Sequence, residues 1–186
     1  MDNSLFNYHL IDTNFKKYLQ VHNFLKRNIY HDILKNISTL FCEGKVLNDK
    51  YSSYDEKFKL KLNNTSERFH ESINLFIEEI NSNNFHSFIE RCFNSKNFKL
   101  NTKLWISLPE SNVEPHYDDS NKIGNIMFYL NETAKGGETV FWEKDNPVFT
   151  TDITDNTTVF MRTENNKHSV NENFLVRKVI IVNVWK

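Results

Sequence analysis

Only two cysteines occur in the 186 residues, Cys42 and Cys92, too few for a disulfide framework or a thiolate metal cage. Both stand in helix-like stretches beside Phe, where a free thiol acts as a small buried hydrophobe. Long apolar runs are missing: none approaches the roughly 20 residues needed to span a bilayer, and Met1 to Tyr8 lacks a basic segment followed by an apolar one. The expectation is a soluble, cytoplasmic protein that uses no membrane. Charge of one sign is missing as well, since 23 basic and 24 acidic residues give a formal charge of −1 and a pI near 6.7. That balance offers no basic field to a phosphate backbone, so nucleic acid is not an expected partner. What the chain does have is apolar and aromatic side chains. Hydrophobic residues make up 39% and Phe alone accounts for 16 positions, which excludes the composition of a disordered chain. A length of 186 residues fits one folded domain, 1–186.

Two halves differ in period. Up to about residue 97 apolar residues recur at helical spacing, as in Phe15, Leu19 and His22 or in Phe69, Ile73, Phe76, Ile77 and Ile80. The spacing predicts helices over 14–27, 29–41, 66–81 and 84–94, with Asn14, Ser66 and Asn83 or Asn84 as N-caps. Glu43 to Asn64 is polar and reads as a surface loop with a short strand around Phe58–Leu62. From about residue 99 the apolar runs shorten or alternate, which predicts strands at Lys103–Leu108, Ile126–Leu130, Thr139–Trp142, Val148–Thr150, Thr158–Met161, His168–Val170 and Val176–Trp185. Turn residues such as Ser120–Gly124, Gly136-Gly137 and Asp145-Asn146-Pro147 separate them and leave no room for crossover helices. The predicted fold class is α+β, mainly β: a double-stranded β-helix (jelly-roll) barrel over 98–186, with the mainly helical half 1–97 packed against it.

His116 and Asp118 lie two apart in Glu114-Pro115-His116-Tyr117-Asp118, so on a strand both side chains point to one face. With 7 His and 24 acidic residues such a pair is expected about once by chance. Position adds weight. His168 opens a short strand in the same half, whereas His9, His22, His31, His70 and His86 fall in the helical half. Two His and one carboxylate on strands of one barrel form a facial triad, which leaves positions on a ferrous ion open for a chelating cosubstrate and dioxygen.

Further landmarks follow in order: Phe128-Tyr129-Leu130-Asn131, Gly136-Gly137-Glu138-Thr139-Val140-Phe141, His168-Ser169-Val170 and Arg177. Together with His116-Tyr117-Asp118 they make residues 99–186 resemble the Fe(II)/2-oxoglutarate-dependent dioxygenases, closest to their prolyl-4-hydroxylase-like branch; Asn81–Phe93 more faintly resembles a helix that precedes the barrel in related oxygenases. The resemblance implies that His116, Asp118 and His168 are the catalytic iron ligands. It implies that Arg177, nine residues past His168, pairs with the distal carboxylate of 2-oxoglutarate, a task suited to a bidentate guanidinium. Lys178 is the alternative, because collagen-type prolyl hydroxylases use Lys one position later, and both faces of Val176–Trp185 are apolar. Tyr129 matches the family's hydroxyl donor to the same carboxylate.

The implied cofactors are Fe(II), 2-oxoglutarate and dioxygen, with ascorbate as a possible activator. The implied reaction hydroxylates an unactivated C–H bond and releases succinate and CO2. Retention of Asp118 favours hydroxylation over halogenation, since related halogenases replace this carboxylate with a small residue. The substrate is open: a peptidyl proline, an amino acid or another small molecule. Trp105 or Ser107 is expected in the pocket where relatives place a strand-end Tyr. Substrate contacts are expected from the loops Glu43–Asn64, Pro109–Pro115 and Asp119–Gly124, with Asp119 and Asn121 either orienting a polar substrate or forming an Asx turn. Gly136-Gly137 reads as a hairpin turn. The alternative to an enzyme is a binding module of jelly-roll type with a structural metal, for which no fourth Cys or His lies near the three.

Overall fold

The computed structural model describes residues 4–42, 57–62, 69–131 and 136–186. In chain order these form β1 (Tyr18–His22), α1 (Arg27–Cys42), β2 (Lys57–Lys61), α2 (Glu71–Ile80), α3 (Asn83–Phe93), β3 (Lys99–Ser107), β4 (Val113–His116), β5 (Lys122–Tyr129), β6 (Thr139–Glu143), β7 (Asn146–Thr150), β8 (Thr157–Arg162), β9 (Lys167–Val170) and β10 (Arg177–Trp185). The strands build a six-stranded sheet of order β1-β8-β5-β10-β3-β2 and a four-stranded sheet of order β4-β9-β6-β7. Every strand pair is antiparallel. This is the mainly β, jelly-roll arrangement expected from the sequence.

The N-terminal half departs from expectation. No helix spans 14–27: the Asn14 amide donates to Asp12 Oδ1 at 2.9 Å, and Tyr18–His22 pairs instead with Thr157–Met161 of β8. Periodicity cannot separate a strand this short from a helical turn, and Tyr18, Leu19 and Val21 suit a pleated surface that closes the edge of β8. Asn23, with φ of 58°, then turns the chain before α1. The boundary near residue 97 also blurs, because β1 and β2 come from the helical half yet form both edges of the six-stranded sheet.

Caps explain where the helices start. Asn83 and Asn84 lie inside α3, which is capped one residue earlier by Ser82, whose Oγ accepts from the Phe85 amide at 3.1 Å. For α2 the cap is His70, whose Nδ1 accepts from the Ser72 amide at 3.4 Å; Ser66 lies outside the described residues. Among the described residues no helix is long and apolar enough to cross a membrane.

The helices cover one face of the six-stranded sheet. Ile126 and Phe128 of β5, Phe160 of β8 and Ile180, Val182 and Val184 of β10 are buried in one cluster with Phe24, Phe76, Phe85 and Phe88. Phe6 sits among them, its ring centroid 4.9 Å from that of Phe24 and 5.7 Å from that of Phe128. Aromatic pairs of this kind add about 0.5–1.5 kcal/mol to the area they bury. Cys92 belongs to this cluster, and burial pushes its thiol up to about 12 against the opposing pull of Arg91 and Arg162. The alternate residues of the same strands, Met127, Tyr129, Met161 and Val179, turn to the other side, toward Phe141 of β6. That second side holds the site.

Candidate active site

β4 and β9 pair so that His116 stands directly opposite His168. Their ring centroids are 4.4 Å apart, with the planes tilted by 52°. β4 ends at His116, so Asp118 is not brought in by strand alternation. It lies in the segment beyond and is held from β5, where Lys122 Nζ donates to Oδ1 and Asn125 Nδ2 to Oδ2, each at 3.1 Å. One ligand atom from each of His116, Asp118 and His168 lies within 4.8 Å of the others. His116 Nδ1 is 2.8 Å from the Glu114 carbonyl and His168 Nδ1 is 3.2 Å from the Asn166 carbonyl. A carbonyl only accepts, so each Nδ1 carries a proton, and the tautomer that binds a metal through Nε2 is the one these contacts favour. Burial pulls the His168 pKa down, partly opposed by the Asp118 carboxylate, while His116 adds to the fall. A neutral imidazole is the form that binds a metal.

The triad lines a cavity of about 120 Å³ walled by strands of both sheets. Its charged residues are Asp118, Lys122 and Arg177, one carboxylate against two cations. Arg177, the first residue of β10, is only 5% exposed, and its guanidinium carbon lies 5.2 Å from the centre of the Tyr129 ring. Its Nε has no hydrogen-bond partner among the described residues. A buried donor left this way costs on the order of 1–3 kcal/mol unless a ligand satisfies it. Lys178 does not line the cavity; alternation turns it to the opposite side of β10, and its amide donates to Asn131 Oδ1 at 2.9 Å. Tyr129 lies fully buried behind Arg177, with its hydroxyl 2.7 Å from Oγ1 of Thr139, which does line the cavity. The structure thus brings His116, Asp118, His168 and Arg177 together, sets Tyr129 one layer behind, and leaves Lys178 outside.

Gly136-Gly137 is not a hairpin tip. Gly136 bridges to Asn173, in the loop before β10, and a Cβ on Gly137 would lie 2.8 Å from Arg177 Cδ and 2.9 Å from Asn173 Oδ1. Both glycines have positive φ, 78° and 76°, so the pair lets that loop close on Arg177 where a side chain could not. Trp105 and Ser107 both line the cavity, as do Ser111, Asn112 and Val113 from the segment before His116. In 119–124 the Asx turn prevails, with the Asn121 amide donating to Asp119 Oδ1 at 2.7 Å. Of Glu43–Asn64, residues 43–56 and 63–64 lie outside the described residues. Lys122, Asn125, Thr139 and Asn173 are cavity residues that the sequence did not announce. For Asn125 a signal existed: it shares strand parity with Met127 and Tyr129, an amide where a core side chain is due.

Residues 104–185 match the family model described as the 2OG-Fe(II) oxygenase superfamily. This stretch contains all six residues singled out above, and its similarity to that superfamily supports an oxygenase that uses Fe(II), 2-oxoglutarate and dioxygen, with the His116, Asp118 and His168 cluster as a candidate iron site. Solved structures share the fold across nearly the whole chain. A prolyl hydroxylase from Trichoplax adhaerens, in complex with a peptide fragment of the hypoxia-inducible-factor oxygen degradation domain, is similar with a TM-score of 0.77 at 16% identity, covering 96% of this chain and 88% of its own. A Pseudomonas putida prolyl-4-hydroxylase is similar with a TM-score of 0.76 at 12% identity, covering 96% and 98%. The non-haem α-ketoglutarate-dependent epimerase SnoN of nogalamycin biosynthesis is similar with a TM-score of 0.69 at 11% identity, covering 91% and 76%. No curated protein matches the sequence.

Proposed function

We propose that this oxygenase hydroxylates an unactivated C–H bond of a peptide or small-molecule substrate, with His116, Asp118 and His168 as iron ligands and Arg177 as the anchor of 2-oxoglutarate. One observation carries the proposal: a single cavity holds both an open three-ligand set and a buried guanidinium with an unsatisfied N–H. The residues fit the absent groups. Two imidazoles and one carboxylate suit ferrous iron and leave positions open, and a dicarboxylate, which only accepts, answers an unpaired donor. When bound, iron and 2-oxoglutarate supply oxidation of the substrate C–H bond coupled to release of CO2 and succinate.

The chain's own residues position these groups. The Glu114 and Asn166 carbonyls fix the two imidazoles with their Nε2 atoms available. The Tyr129 ring supports the Arg177 guanidinium from behind. Either hydroxyl of the Tyr129–Thr139 pair can donate; with Tyr129 donating, the hydroxyl proton of Thr139, which lines the cavity, is free for the carboxylate that Arg177 holds. Trp105, Met127, Val170 and Ile181 line the same space and lower its local dielectric, which strengthens each charge contact. Substrate has an approach of its own: an open groove of about 730 Å³, walled in part by Tyr117, Asp119 and Lys16, adjoins the cavity at Asp118 and Lys122.

Purified anaerobically, the protein is expected to take up one Fe(II) per chain and, in air, to form succinate from 2-oxoglutarate. His116→Ala and His168→Ala should each abolish tight iron binding. Wild-type iron occupancy and turnover in either variant contradicts the triad, and iron uptake by the wild type without consumption of 2-oxoglutarate points to a metal-bearing binding module.

A further inference from the structure

Asp118 is gripped at both carboxylate oxygens. Lys122 Nζ and Asp118 Oδ1 are 3.1 Å apart, with side chains only 10% and 15% exposed. Asn125 Nδ2 donates to Oδ2, and since a carboxylate accepts only, the amide nitrogen of Asn125 must face it. The ammonium of Lys122 lies 5.8 Å from the Trp185 ring, and Thr163 Oγ1 donates to the Lys122 carbonyl, so the residue is fixed at both ends. The two oxygens are not equivalent. Oδ2 is the one near His168, 3.8 Å from Nε2, whereas Oδ1 is held by Lys122.

A carboxylate with both oxygens free can chelate a cation through both and so fill one more position than a carboxylate that offers a single oxygen. In a site that must also accept a chelating cosubstrate and dioxygen, that position matters. We propose that Lys122 is a positioning residue that keeps Asp118 a one-oxygen ligand, holding Oδ1 so that a position on the metal stays open for 2-oxoglutarate. This rests on the iron-binding role proposed for the triad.

The consequence has an unusual sign. A cation beside the site repels a divalent ion and withholds a donor atom, so Lys122 weakens metal binding while it favours the cosubstrate. A residue that merely supported Asp118 would strengthen both. Co(II) serves as the probe, because its visible absorption reports coordination without turnover. Lys122→Met is expected to bind Co(II) about tenfold more tightly, and its Co(II) form to bind 2-oxoglutarate about tenfold more weakly. The absorption before cosubstrate is added should shift toward a more fully coordinated ion. Lys122→Arg, which keeps charge and donor, should retain the wild-type constants. If Lys122→Met does not fold, Lys122→Leu, which also lacks a donor, carries the same test with the same signs.

Weaker Co(II) binding in Lys122→Met, or constants and spectrum equal to wild type, overturns the proposal. Absence of Co(II) binding by the wild-type protein overturns the triad along with it, so the two failures are distinguishable.

Discussion

On the helix side of β5 and β10, Ile126, Phe128, Ile180, Val182 and Val184 meet a wall of phenylalanines, whereas on the opposite side of the same strands Asn125, Met127, Arg177, Ile181 and Asn183 line the cavity. The first set has no polar side-chain atom to satisfy. Around the cavity, Arg177 Nε, Asn125 Oδ1 and Asn173 Oδ1 are buried without a partner among the described residues. Two-sided burial of one sheet therefore serves two ends. The dry side holds the fold through area and aromatic contact, and the polar side carries unmet hydrogen-bonding capacity that a ligand can meet. Asn125 Oδ1 sharpens this, since an acceptor cannot be satisfied by 2-oxoglutarate and needs a donor from water or substrate.

If the two sides divide the work, a cut on each should be felt separately. The largest effect is expected from Phe128→Ala, which removes a fully buried ring from the dry side and should cost about 3–5 kcal/mol of stability in urea denaturation. Folded Phe128→Ala should keep wild-type iron affinity; a loss of iron binding without loss of stability means that the two sides do not divide the work. Next comes Arg177→Ala, expected to cost on the order of 2–5 kcal/mol of 2-oxoglutarate binding by calorimetry on the anaerobic Fe(II) form, with little change in stability. Lys178→Ala should cost much less, and the reverse ranking assigns the role to Lys178.

The smallest effect is on pH. The folded His168 has its pKa held below 6.5 chiefly by burial, so near and below that pH the unfolded chain binds the proton more readily. Stability of the metal-free protein should therefore be intact above 6.5 and fall as pH drops through it, by at most about 1.4 kcal/mol per unit from this residue. His168→Gln should show a shallower fall; an identical slope excludes His168 as its source.

Legibility in the sequence followed how local each signal is. His116, Asp118, His168 and Arg177 stand among ordered landmarks within one stretch, so their place around one cavity could be anticipated from the sequence. The choice between Arg177 and Lys178 could not, because β10 is a central strand of the six-stranded sheet and is apolar on both faces, so its alternation is silent. β1 was misread because five residues fit either period, and only its pairing with β8 decides. Lys122 lay hidden for another reason. Four residues after Asp118 it reads as part of a polar turn, and its meaning appears only when the start of β5 places it against Oδ1.

If the proposed function holds, the triad and Arg177 serve one ligand set in one cavity. Anaerobic titration of 2-oxoglutarate into the Fe(II) protein, followed by the metal-to-ligand charge-transfer band in the visible, tests it most directly. The band is expected to rise and saturate at one 2-oxoglutarate per chain, to require far more cosubstrate in Arg177→Ala, and to vanish in His116→Ala. A wild-type protein that shows no band, or a His116→Ala variant that shows an undiminished one, contradicts the claim.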